Sequence, residues 1–146
     1  MLNLYNKSNV TELKVLTGKT FQNVEFTDID FTLLKGMMRA EFNDCRFKNC
    51  NFERKKLKDL KVYNSLFDSC AFINTDLLGS CFDRTVFKNC QFERSNWNRT
   101  EVLNSEFVDC KFSYDSGFHY AIFTNVLGFP ERYLKRTGKM DLGQIC

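Results

Sequence analysis

The sequence predicts an all-β fold, a coil of four flat sides with five residues on each. Three observations predict it. The segment FKNCNFER at 47–54 returns forty residues later as FKNCQFER at 87–94. Over residues 42–72 and 82–112, fourteen of 31 positions are identical. Beneath that repeat runs a shorter one. A bulky apolar residue stands at every fifth position from Phe42 to Phe112, fifteen times without a gap. A period of five matches neither the 3.6 of a helix nor the 2.0 of a strand. It suits a chain that turns a corner every five residues and points one large and one small side chain inward on each side.

The sides can be taken in order. Leu16, Phe21, Phe26 and Phe31 set the beat, and one extra residue before Met37 shifts it. From Phe42 it runs through Phe47, Phe52, Leu57, Val62, Phe67, Phe72, Leu77, Phe82, Phe87, Phe92, Trp97, Val102 and Phe107 to Phe112. A second one-residue shift leads to Phe118 and Phe123. Two positions before most beats lies a small residue, such as Ala40, Cys45, Cys50, Ser65, Cys70, Thr75, Ser80, Thr85, Cys90, Ser95, Thr100, Ser105 or Cys110. Four sides close a coil of about 20 residues, so residues 20 apart stack, about 4.8 Å from rung to rung. The expected columns are Phe47–Phe67–Phe87–Phe107, Phe52–Phe72–Phe92–Phe112 and Met37–Leu57–Leu77–Trp97. Each coil buries the apolar side of its neighbour, so stability is a sum of nearest-neighbour terms.

The motifs FNDCRF, FKNCNF, FDSCAF, FKNCQF and FVDCKF resemble those of the pentapeptide repeat proteins. The resemblance implies a right-handed quadrilateral β-helix of about five coils over residues 16–123. Residues 1–15 are then an N-terminal cap and 124–146 a C-terminal cap and tail. A solenoid end exposes an open sheet edge that must be covered. At the start, NVTELKVL reads as a strand or short helix. Near the end, Pro130 suits the first turn of a short helix and Gly138 its stop. Phe123, Val126, Leu127, Phe129, Tyr133 and Leu134 give that segment an apolar side. It either caps the coil or pairs two copies through a two-fold homodimer.

Composition narrows the function classes. The chain has no run of 18 apolar residues, so no membrane span is expected. Its N-terminus lacks the profile of a signal peptide, which places it in the cytoplasm. Seven cysteines with no route to an oxidising compartment predict no disulfide framework. Cys50, Cys70, Cys90 and Cys110 form an inward ladder that cannot surround one zinc ion tetrahedrally, so they read as packing. Cys45 takes the same kind of slot. Cys81 falls on an outward position and is the expected reactive thiol, and Cys146 is expected to be mobile. His119, the only histidine, reads as a packing residue rather than the partner of a nucleophilic Cys110. No phosphate-cradling loop or paired histidine motif is present. The expectation is therefore no catalytic residue, no metal, no cofactor and no enzymatic activity.

Charge supplies the one candidate surface. RKKLKDLK at 54–61 is the densest cluster, and its Lys55 and Leu60 break the small-residue slots, predicting a bend or an opening. Arg39, Lys56, Lys58 and Arg99 map to the side of Leu57 and Trp97, with Arg54 and Arg94 at its edge. These six residues are the predicted partner-binding stripe for an anionic macromolecule. The resulting function is a non-catalytic binding or scaffold module that presents flat faces to a protein partner, with direct nucleic-acid binding as a variant. The resemblance implies an alternative, because some family members protect DNA gyrase as acidic DNA mimics and dimerise through the C-terminal end. A protector of gyrase or an inhibitor of a defence nuclease would act by steric block or by DNA mimicry, and the mimic needs an acidic face. Residues 38–114 hold 13 basic and 11 acidic side chains. The acids Glu25, Asp28, Asp68, Glu106 and Asp109 share one side with Arg46, Lys48 and Lys88.

Overall fold

The computed structural model describes residues 3–113, 115–134 and 146. Within them the chain winds as a parallel β-solenoid with four faces. The first face is a six-stranded sheet whose rungs are Thr20–Gln22, Glu41–Asn43, Lys61–Tyr63, Cys81–Asp83, Glu101–Leu103 and Ile122–Thr124. The second is also six-stranded, with Asn3–Tyr5, Val24–Thr27, Arg46–Lys48, Leu66–Asp68, Val86–Lys88 and Glu106–Val108. The third carries the pair Gln91–Phe92 and Lys111–Phe112 together with the bridges Asp30↔Asn51, Asn51↔Ala71 and Ala71↔Gln91. The fourth is held by bridges alone, Lys56↔Asp76, Asp76↔Asn96 and Asn96↔Gly117. Every sheet pairing is parallel, as a coil that always winds the same way requires.

The register follows the five-residue beat. Phe42 pairs with Val62 and Val62 with Phe82, whereas Phe21↔Phe42 and Val102↔Phe123 each span one residue more. Those two longer coils hold the two shifts read in the sequence. Corners fall two residues after each beat, where the backbone turns left-handed. Asn23, Asp44, Asn49, Asn64, Asn74, Asn89 and Asn104 have φ between 49° and 54°. Asn and Asp tolerate that region best among residues with a Cβ. Arg39, Arg54, Arg84, Arg94 and Arg99 occupy the same kind of corner, at φ of 50° to 57°.

The small slot has a second use beyond size. In most of these slots the hydroxyl or thiol donates a hydrogen bond to a carbonyl on the rung before, whereas Ser65 and Ser105 donate within their own rung and accept from the amides of Cys45 and Thr85. Cys70 Sγ reaches Phe47 O at 3.4 Å, Thr75 Oγ1 reaches Phe52 O at 2.8 Å, Ser95 Oγ reaches Phe72 O at 2.7 Å and Thr100 Oγ1 reaches Leu77 O at 2.8 Å. Each such bond ties neighbouring coils and satisfies a buried polar atom. The large slots form the expected columns. Rings stack from Phe26 through Phe47, Phe67 and Phe87 to Phe107 with centroids 4.5–5.2 Å apart. A second stack runs from Phe31 through Phe52, Phe72 and Phe92 to Phe112 at 4.7–5.3 Å. Met37, Leu57, Leu77 and Trp97 are fully buried in the third column.

Both ends are dressed. Strand Asn3–Tyr5 pairs with Val24–Phe26, and the segment read as a strand or short helix holds a 3-10 helix at Val10–Glu12. At the other end Leu127 bridges to Glu106, and Gly128 follows at φ 77°, where an added Cβ would run into the carbonyl oxygen of Phe107. Helix Glu131–Leu134 starts after Pro130. Phe129 and Tyr133 lie over Phe112, Phe118 and the neighbouring rings at 5.1–6.0 Å. Gly138 and the side chain of Leu134 lie outside the described residues.

Three expectations need correction. Cys81 is fully buried rather than open to solvent, and it forms a disulfide with Cys146 across a Cα–Cα distance of 5.1 Å. Cys146 is thus fixed, and its amide also donates to Glu101 Oε2 at 3.3 Å. A cysteine on an outward position is covered when a distant part of the chain comes back to it, which a five-residue period cannot reveal. Lys55 and Leu60 are themselves buried; the opening expected at this cluster lies beside Lys55, where the preceding rung carries the extra residue between Phe31 and Met37. There the chain makes a 3-10 turn at Phe31–Leu33, and Lys55 Nζ reaches inward to donate to Leu34 O and to Lys35 O, the latter at 2.6 Å.

Candidate interaction face

The fourth face and its two corners gather all six residues of the predicted stripe. On the face, Lys56 stands just before Leu57 and Lys58 just after it. Arg54 and Arg94 stand on the corner shared with the third face, two rungs apart, with Asn74 between them. Arg39 and Arg99 stand on the opposite corner, with Asp59 and Gly79 between them. Left-handed backbone at all four arginines marks them as corner residues, and their side chains are exposed. The arginines therefore frame the face with one edge two rungs long and the other three. Its centre is polar: Asp76 accepts from Asn96 Nδ2 at 3.0 Å and pairs with Lys58 at 3.4 Å.

Partners differ among the six. Arg94 Nε donates to Asn74 Oδ1 at 3.0 Å, which holds it along the corner. Arg54 pairs loosely with its neighbour Glu53 at 3.7 Å. Arg39, Lys56 and Arg99 make no ion pair among the described residues. Six cations on this face and its corners meet two acids, Asp59 and Asp76. The second face has the opposite balance, with five acids against Arg46, Lys48 and Lys88. Glu25 there is tied to Lys48 at 3.6 Å.

Beside Arg54 and Lys56 the bulge opens a notch of about 650 Å³, lined also by Asp30, Lys35, Met38 and Glu53. Lys55 forms its floor. Burial lowers the pKa of Lys55, and the charge of Asp30 works against that shift. The broken slot at Lys55 signalled an opening in the sequence, but not its cause: the carbonyls of Leu34 and Lys35 that Lys55 reaches belong to the neighbouring coil.

The other candidate groups are structural. His119, expected as a packing residue, is instead exposed; its backbone amide donates to Asn98 Oδ1 at 2.7 Å, and its ring lies tilted against Tyr120. Cys110 donates instead to Phe87 O at 3.2 Å. Burial pushes the Cys70 thiol up. Among the described residues no group of three or more His, Cys, Asp or Glu could hold a metal ion, and no helix is long and apolar enough to cross a membrane.

Square rungs of five-residue sides, Asn- and Asp-rich corners and an aromatic core define the fold, a four-sided parallel β-solenoid. A solved structure shares that fold. A trypsin-treated variant of QnrB1, a plasmid-mediated fluoroquinolone resistance protein, matches with a TM-score of 0.51 at 16% identity, over 86% of this chain and 72% of that one. The pentapeptide repeat protein Rfr23 from the cyanobacterium Cyanothece 51142 is more distant, with a TM-score of 0.35 and 9% identity over 75% of this chain and 94% of that one. A pentapeptide repeat protein from the thylakoid lumen of Arabidopsis thaliana gives 0.34 and 18% over 87% and 77%. No family model matches the sequence, and no curated protein is significantly similar to it.

Proposed function

We propose that the chain is a non-catalytic binding module that docks an acidic macromolecular surface on its fourth face. The observation that supports this is the set of exposed corner arginines around Lys56 and Lys58: four of the six cations, Arg39, Lys56, Arg94 and Arg99, have no ion pair among the described residues. A rigid rung sets the spacing of those charges. Arg54 and Arg94 are two rungs apart, about 10 Å, a separation that a flat polyanionic partner can meet without the cost of ordering loops. The partner is most readily an acidic protein face, and the phosphate backbone of a nucleic acid offers the same chemistry.

A second reading follows from the resemblance to pentapeptide repeat proteins: protection or inhibition of a nucleic-acid enzyme such as DNA gyrase or a defence nuclease, with this rod standing in for DNA. It would use the acids of the second face, Asp68, Glu106 and Asp109. The cations on that face weaken it.

Titration of the chain against duplex DNA, an acidic protein and DNA gyrase, at several salt concentrations, separates the readings. For the basic face, Lys56→Glu with Lys58→Glu weakens binding while thermal unfolding stays cooperative, and affinity falls steeply with salt as counterions are released or charge pairs screened. For the mimic, those changes are neutral or helpful, and reversal of Asp68, Glu106 and Asp109 destroys binding to gyrase. If neither set alters binding to any of the three, the fourth face is not the docking surface.

A further inference from the structure

The thiols of Cys50, Cys70, Cys90 and Cys110 occupy one slot on four successive rungs. The residues that follow them pair directly, Asn51↔Ala71, Ala71↔Gln91 and Gln91↔Lys111. Three of the four are buried, and Cys110, on the last of these rungs, is only partly covered. Rung spacing puts about 4.8 Å between stacked sulfurs. A point midway between two of them is therefore about 2.4 Å from each, close to the ~2.3 Å of a metal–thiolate bond. The side chains point across the coil, so a cation at that point lies to the side of each Cβ–Sγ bond, where the sulfur lone pairs are. Two donors in line and no third do not suit zinc, which takes four. They do suit a soft monovalent ion, because thiolate ligands select Cu(I) and such ions accept two ligands in a line.

We propose that Cys90 and Cys110 form a two-coordinate site for a soft monovalent cation of the Cu(I) class. This pair is favoured over the deeper ones because Cys110, only partly covered, is accessible enough to admit the ion. Both thiols lose a proton to solvent, two S–Cu bonds form, and copper stays in the +1 state, so no oxidant or reductant is needed. The protons that leave are those now donated to Phe67 O and Phe87 O, at 3.4 Å and 3.2 Å.

The test is an anaerobic titration of the full chain, its disulfide intact, with Cu(I) supplied as its acetonitrile complex. Native mass spectrometry counts the ions, and thermal unfolding reports the fold. The expected result is one copper per chain, a raised Tm, and no uptake of Zn(II). Cys90→Ser and Cys110→Ser each lose that equivalent, and Cys50→Ser keeps it. Serine is safe in this slot, because Ser95 and Ser105 occupy it on other sides of the coil. The proposal is overturned by the absence of a bound equivalent, by equal loss in Cys50→Ser, by comparable zinc uptake, or by uptake that abolishes cooperative unfolding.

Discussion

Trp97 is the largest fully buried side chain, and its Nε1 is the one buried side-chain nitrogen or oxygen that finds no hydrogen-bond partner among the described residues. The surrounding rings, Phe82, Phe92, Phe107 and Phe118, supply faces and edges but no acceptor. An orphaned buried donor costs about 1–3 kcal/mol, which opposes the packing the indole provides. Trp97→Phe is therefore expected to change stability by less than about 1.5 kcal/mol, since lost volume and relieved desolvation offset each other. Phe92→Ala has no such offset and should cost about 3–5 kcal/mol. Chemical denaturation of the two variants checks this, and a Trp97→Phe loss as large as that of Phe92→Ala would show that the indole N–H is satisfied after all. Outward positions are not all neutral. Asn98 accepts the His119 amide across the rung, so a substitution there removes a tie between coils, whereas Lys56 has no such bond.

Within a single coil, the sequence shows the beat but not the bonds. Size alone predicts the small slot, and the hydrogen bonds that Ser, Thr and Cys make there to the preceding rung account for the preference over Ala. The column register, both one-residue shifts and the inward cysteine ladder were legible, because period and side-chain volume determine them. The Cys81–Cys146 disulfide, the inward reach of Lys55 and the covering of the last coil by Phe129 and Tyr133 were not. Each depends on a segment from elsewhere in the chain meeting a coil at a point that no local pattern marks. Lys55 offers a direct test. Lys55→Ser restores the usual slot residue but cannot reach Leu34 O and Lys35 O, so it should lose about 2 kcal/mol although the sequence pattern improves. Its pH dependence has a definite sign. Burial lowers the folded pKa of Lys55, so above that value the unfolded chain holds a proton that the folded chain has released. Stability relative to Lys55→Met then rises with pH until the unfolded lysine also titrates. A flat or falling difference would mean that the carbonyls hold the charged form as well as water does.

At the scale of the whole rod, two kinds of link bind the coils, one long-range and one between neighbours. The disulfide is the long-range link. It closes a loop with a sequence separation of 65, for which chain entropy predicts about 4 kcal/mol of stabilisation. Reduction, or Cys146→Ser, should lower the denaturation midpoint accordingly, with unfolding of the described coils still cooperative. Stacking is the neighbour link, and it makes a stricter prediction. Phe67 and Phe87 face each other on adjacent rungs at 5.2 Å, whereas Phe47 and Phe107 lie in the same column but three rungs, or about 14 Å, apart. If stability is a nearest-neighbour sum, Phe67→Leu and Phe87→Leu should show a coupling of about 0.5–1 kcal/mol in a double-mutant cycle, while Phe47→Leu and Phe107→Leu should add to within about 0.5 kcal/mol. Equal coupling in both cycles would mean that the aromatic column responds as one body. The flatness of the fourth face would then depend on every rung, and charge reversals there would have to be judged against the stability of the entire coil.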